Sequence, residues 1–169
     1  MIHVIMGLKG SGKTKKLLDA IHTAVDDAHG DVVCIEYGKK LTYDVTYKVR
    51  LVDSQEYGIS SPDMLKGFLS GLHAGNFDIT NVFIDNLYKT IGQDQAATEA
   101  FVDWVANFAK ENNMEITMTI SADPETASEG MKKYLYVATS SCTAAVKRGG
   151  AFLRAGGESV DSGQLTVDS

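Results

Sequence analysis

"GLKGSGKT" (Gly7–Thr14) decides how the rest of the chain is read. It fits G-x-x-x-x-G-K-[ST], a loop that cradles phosphate. So short a pattern carries weight only when a strand runs into it and a helix leaves it. Both are expected here. "IHVIM" (2–6) is a short apolar run that ends at Gly7, and Leu17, Leu18, Ile21 and Val25 recur at three- and four-residue spacing before Gly30. Each position also has a chemical part. Gly7, Gly10 and Gly12 let the backbone wrap close to a phosphate. The N–H groups along Leu8, Lys9, Gly10, Ser11 and Gly12, with the helix N-terminus behind them, face an anion. Lys13 reaches for the outer phosphates, and Thr14 offers its hydroxyl to Mg²⁺.

Working outward, the pattern alternates strand and helix. "DVVCIEY" (31–37) is β-branched and predicts a buried strand. "VTYKVRLV" (45–52) alternates, and is read either as one strand or as a short turn followed by a strand. "SSPDMLKGFLSGLHAG" (60–75) opens a helix with a serine cap, Pro62 in the first turn and Asp63 near the positive end. Met64, Leu65, Phe68, Leu69 and Leu72 form its apolar face. "NVFIDNL" (81–87) predicts a strand ending in a carboxylate. A long helix over about 94–112 is expected to bury Phe101, Trp104, Val105 and Phe108. "EITMTIS" (115–121) and "KYLYVAT" (133–139) predict two more strands, with a turn and short helix at "DPETASEG" between them. The expected class is α/β, a three-layer domain with a mainly parallel sheet flanked by helices. Residues 1–140 form the nucleotide-binding domain; 141–169, rich in Gly, Ser and Ala, is expected to be a flexible tail.

Composition narrows the function. The chain has 169 residues and a net charge of -6, so it lacks the basic face on which nucleic-acid binding depends. No apolar run approaches the roughly 18 residues of a membrane span, and "MIHVIMG" has no basic leader, so a cytoplasmic protein is expected. Cys34 and Cys142 make no zinc or disulfide pattern. His3, His22, His29 and His73 are scattered and make no ligand set.

Ligands of parallel sheets sit beyond the carboxyl ends of the strands. That rim gathers the loop, Glu36, Asp85 and Ser121. Asp85 closes an apolar strand and suits the Mg²⁺ shell. Hydrolysis also needs a group that orients or deprotonates water. The residue after Asp85 is Asn86, which cannot act as a base. Glu36 is the candidate, with an ordinary rim carboxylate as the competing reading; Glu56 and Asp123 are weaker candidates. Tyr88 and Lys89 follow the Asp strand and could touch the nucleotide.

These residues resemble the P-loop NTPase superfamily. "FIDNL" is similar to the Asp strand of RecA-type recombinases and circadian KaiC-type ATPases. Those families also place a glutamate at the end of the strand after the first helix, which Glu36 matches. A polar strand end, here in "TMTIS", can sense the γ-phosphate there. The resemblance covers roughly residues 2–138 and implies ATP and Mg²⁺ as ligands. The chain is much shorter than those proteins and has no basic DNA-binding loop, so DNA binding does not carry over. It is also similar to small P-loop ATP-binding proteins of Gram-positive anaerobes, some labelled twitching-motility ATPases, although the His- and Asp-rich motor motifs are absent. One P-loop branch carries a signature lysine directly after the first glycine. Leu8 stands there, so Lys9 reads as an exposed loop lysine.

Arginine is scarce: Arg50, Arg148 and Arg154, with none from 51 to 147. Nucleoside and nucleotide kinases use lid arginines on the transferred phosphoryl group, which weighs against a kinase. Slow Mg²⁺-dependent ATP hydrolysis in a nucleotide-dependent switch or assembly component is expected. A protein partner or a neighbouring subunit would supply an arginine in trans. Non-catalytic nucleotide binding or interaction is the alternative, with a small nucleoside or nucleotide kinase behind it.

Overall fold

The computed structural model describes residues 1–136. Five parallel strands form one sheet: β1 (Ile2–Met6), β2 (Asp31–Glu36), β3 (Val49–Asp53), β4 (Ile79–Ile84) and β5 (Glu115–Ile120), in the order β1-β5-β4-β2-β3. The connecting helices are α1 (Lys13–Asp27), α2 (Pro62–Gly75), α3 (Leu87–Ile91) and α4 (Gln95–Glu111). A 3₁₀ turn (Pro124–Thr126) and the short α5 (Glu129–Lys132) follow β5.

The strands are near-continuous apolar runs because both faces are covered, as parallel sheets require. Alternation sorts the side chains. Val33 and Ile35 of β2 join Leu65, Leu69, Phe101 and Val105 of α2 and α4 in one core. Val32 and Cys34 join Leu17 and Ile21 of α1 in another. The expected α/β class and helix-flanked parallel sheet are therefore present. No helix among the described residues is long and apolar enough to cross a membrane.

The segment 45–52 is a turn followed by a strand, the second of its two readings, and several other local expectations change. Val45 N–H donates to Leu41 O and Val49 N–H to Thr46 O, and pairing with β2 starts only at Val49. Tyr47 is left 94% exposed despite its place in the alternation. Met64 lies outside the buried face of α2, which rests on Leu65 and Leu69. Trp104 and Phe108 are half-buried rather than buried, and stack on each other with ring centroids 5.0 Å apart. The Asp strand ends at Ile84, before its carboxylate. Of the expected last strand, Leu135 makes a parallel bridge to Val4; residues 137–139 and the tail over 141–169 lie outside the described residues.

Candidate functional site

The loop leaves β1 through Gly7, whose N–H donates to Ile120 O at 3.3 Å, so it hangs from two adjacent strand ends. Gly7 is packed against Ser11, and a Cβ here would run into the serine hydroxyl. Gly10 and Gly12 both have φ of +83°, in the left-handed region that side chains avoid. Gly12 is the residue that opens α1, and no side chain caps that helix. The contrast with α2, α4 and α5 is chemical, although the short α3 also opens without a side-chain cap. Ser61, Asp94 and Ser128 each accept a hydrogen bond from the first turn of α2, α4 and α5. The first turn of α1 also has no acidic residue. Its N–H groups are thus left to water or to an anion.

Lys13 lies in that first turn. Its Nζ donates to Leu8 O at 2.9 Å, which folds the side chain back over the loop. Leu8 O also accepts from Ser11 N–H at 3.1 Å. Burial lowers the Lys13 ammonium below the usual lysine range, and the nearby Asp85 carboxylate opposes the shift. Thr14, Lys9, Gly10 and Ser11 are exposed.

Strand register aligns the opposing wall. Cys34, Phe83 and Thr117 are neighbours across β2, β4 and β5. Two residues on, by the period of a strand, come Glu36, Asp85 and Thr119. Cys34 and Phe83 pack on the α1 side of the sheet, so these three polar residues form a row on the α1 side, at the strand ends.

Within this row each group has a partner. Thr119 is 1% exposed. Its hydroxyl donates to Asp85 Oδ1 at 2.9 Å and accepts from Asn86 N–H at 2.7 Å. Asn86 takes the left-handed conformation (φ 54°) that asparagine tolerates better than most residues, and this turns the chain from β4 into α3. Glu36 is 2% exposed, and its Oε2 accepts from Lys40 N–H at 2.7 Å and Leu41 N–H at 2.8 Å. Burial, and then the Asp85 and Glu36 carboxylates, push the neighbouring Cys34 thiol far up.

The structure therefore brings Gly7–Thr14, Glu36 and Asp85 to one rim and shows Glu36 holding the 37–41 turn. Glu56 pairs with Lys39 on the surface. Asp123 caps the 3₁₀ turn through Glu125 N–H. Ser121 is exposed past the end of β5; the polar residue of the row is Thr119. Its signal in the sequence is the alternation in "ITMTI", where both threonines have the parity opposite to Ile116, Met118 and Ile120. Among the described residues no three His, Cys, Asp or Glu side chains cluster as a metal cage. Arg50, the one arginine among the described residues, lines a cleft with Asp31 and Asn76 at the opposite ends of the strands. No protein-family model matches the chain, and no curated protein matches it.

Proposed function

We propose that this chain is a P-loop NTPase domain that binds ATP with Mg²⁺, hydrolyses it slowly, and acts as a nucleotide-dependent switch or assembly component. One observation carries this reading: the uncapped N-terminus of α1, entered through left-handed Gly12, with Lys13 Nζ folded over the loop onto Leu8 O and the Glu36–Asp85–Thr119 row on the same rim. The position of β5 between the loop strand and the Asp strand supports the likeness to RecA- and KaiC-type ATPases.

In this reading the loop N–H groups bind the phosphates and Lys13 leaves Leu8 O to hold the outer ones. Mg²⁺ would supply charge neutralisation between those phosphates, held by the Thr14 hydroxyl and the Asp85 carboxylate. The donor set fits, because nucleotide-bound Mg²⁺ uses one or two protein carboxylates with water and phosphate, not a cage. Thr119 keeps Asp85 oriented. Among the described residues the one arginine, Arg50, lies at the opposite ends of the strands; without an arginine at the rim, which is worth roughly 10³–10⁵ in rate, turnover is slow unless a partner or second subunit supplies one.

Non-catalytic nucleotide binding has one observation in its favour. The Glu36 carboxylate that would position water is engaged by two backbone N–H groups.

The test is a thermal-shift series with MgATP, MgADP and MgGTP on wild type and Lys13→Ala. A ligand at a hundredfold excess over Kd stabilises the fold by about 2.7 kcal/mol. MgATP is expected to raise the midpoint and Lys13→Ala to abolish the rise. No shift with any nucleotide at millimolar concentration would overturn the reading. Phosphate release by Glu36→Gln then separates hydrolysis from binding, since the glutamine carbonyl can still accept both N–H bonds. A release rate equal to wild type would remove Glu36 as the water-positioning group.

A further inference from the structure

The polar row at the rim runs on into β3. The register pairs Glu36 with Asp53. The alternation that puts Cys34 and Val49 on the α1 side puts Glu36 and Asp53 there too. Carboxylates side by side on neighbouring strands repel each other, and each is stabilised by N–H donors.

One turn supplies those donors to both. After β2 the chain reverses through Gly38 (φ 85°) and Lys39 (φ 37°). Gly38 N–H donates to Asp53 Oδ1 at 3.0 Å. Lys40 and Leu41 N–H donate to Glu36 Oε2 at 2.7 and 2.8 Å. Asp53 Oδ1 also accepts from Gln55 N–H at 3.0 Å, and Lys39 pairs with Glu56. The turn after β2 is thus tied to the turn after β3. Leu41, 2% exposed, closes it against the α1 core.

Glu36 is covered as a result. It is 2% exposed, with one oxygen engaged twice. A carboxylate that orients or deprotonates water needs that water within hydrogen-bond reach. We infer that Asp53 is a positioning residue: through Gly38 it holds the 37–41 turn over Glu36, and so keeps ATP hydrolysis slow. The inference rests on the nucleotide-binding reading of Gly7–Thr14 and on Glu36 as the group that handles water. When the turn lifts, Glu36 takes a proton from a water whose oxygen bonds to the γ-phosphorus. The bond from that phosphorus to the bridging oxygen breaks, giving ADP and inorganic phosphate. Slow turnover then has a second cause besides the lack of an arginine at the rim. This one lies within the chain and is relieved without a partner.

The experiment measures MgATP affinity by titration calorimetry, and phosphate release at saturating MgATP. The proteins are wild type, Asp53→Ala, Asp53→Asn, Gly38→Ala, and Asp53→Ala combined with Glu36→Gln. Asp53→Ala removes the acceptor for Gly38 N–H. Gly38→Ala strains a left-handed position and sets a Cβ 3.3 Å from Gln55 Oε1, so it loosens the same turn by an independent route. Both are expected to raise the release rate about fivefold, the factor that one net hydrogen bond carries in an equilibrium. The MgATP Kd stays within about twofold of wild type. Asp53→Asn, whose carbonyl accepts both N–H bonds, keeps the wild-type rate. The double variant loses the rise, because the effect passes through Glu36. Gly38→Ala carries the test alone if Asp53→Ala does not fold. Release that is unchanged or lower in the folded variants overturns the inference, since a turn that only supports the site cannot raise activity when loosened. A rise that survives Glu36→Gln overturns it as well. If wild type binds no MgATP, the nucleotide reading and this inference fall together. If it binds MgATP and no variant releases phosphate faster, this inference falls alone.

Discussion

Thr119 does more than its place in a strand suggests. Its one hydroxyl serves both Asp85 Oδ1 and Asn86 N–H, so it fixes the carboxylate and the left-handed turn after it. Thr119→Val keeps the shape and removes both bonds, leaving a part-buried acceptor and donor without this partner. We expect a loss of about 1–3 kcal/mol in urea unfolding, together with weaker MgATP binding. A change below about 0.5 kcal/mol, within the range of an ordinary surface substitution, would mean that the bridge contributes nothing. Residues differ in how far the sequence reveals them. The loop is local, so its glycine spacing and its lysine can be read directly. Glu36 can be located at a strand end, but its partners cannot. They depend on Gly38 (φ 85°) and Lys39 (φ 37°) curling the chain back, and no side-chain pattern announces that curl. Thr119 is visible only as a parity in its strand until β4 is known to lie beside β5.

Helices here carry their boundaries in the sequence because capping is short-range. Ser61 caps α2 through Met64 N–H at 3.2 Å, with Pro62 following at once. Ser61→Ala is expected to cost about 1 kcal/mol in chemical denaturation without altering ligand binding, since α2 supplies nothing to the rim. An unchanged midpoint would show that Pro62 and Asp63 suffice to start the helix. Strand boundaries are less visible. The alternation in 45–52 records which residues suit a pleated surface, not where a partner is present. Pairing begins at Val49 because β2 offers Val32 there. Asn86 likewise helps cut the strand expected over 81–87 short at Ile84, through a backbone conformation that composition does not encode.

At the scale of the molecule, the alternation of strands and helices predicts a parallel sheet, but it is silent on strand order. The order β1-β5-β4-β2-β3 arises from which faces bury one another, a property of the assembled layers. That order puts the first strand beside the last strand described in full, with Ile2 opposite Ile116, and its other edge meets Leu135. Among the described residues, β1 has no earlier neighbour. On the ribosome the loop strand emerges well before β5, the strand it pairs with. Until Glu115–Ile120 has left the exit tunnel there is no register for Ile2–Met6 to adopt and no Ile120 carbonyl from which Gly7 can hang. A nascent chain therefore carries Gly7–Thr14 without its folded geometry until β5 has been made. Amide exchange at Ile2–Met6 is expected to be slow in the full chain and fast in one cut after Asn113; slow exchange in the shorter chain would refute this timing. The rim then closes only when translation has delivered the strand next to its own.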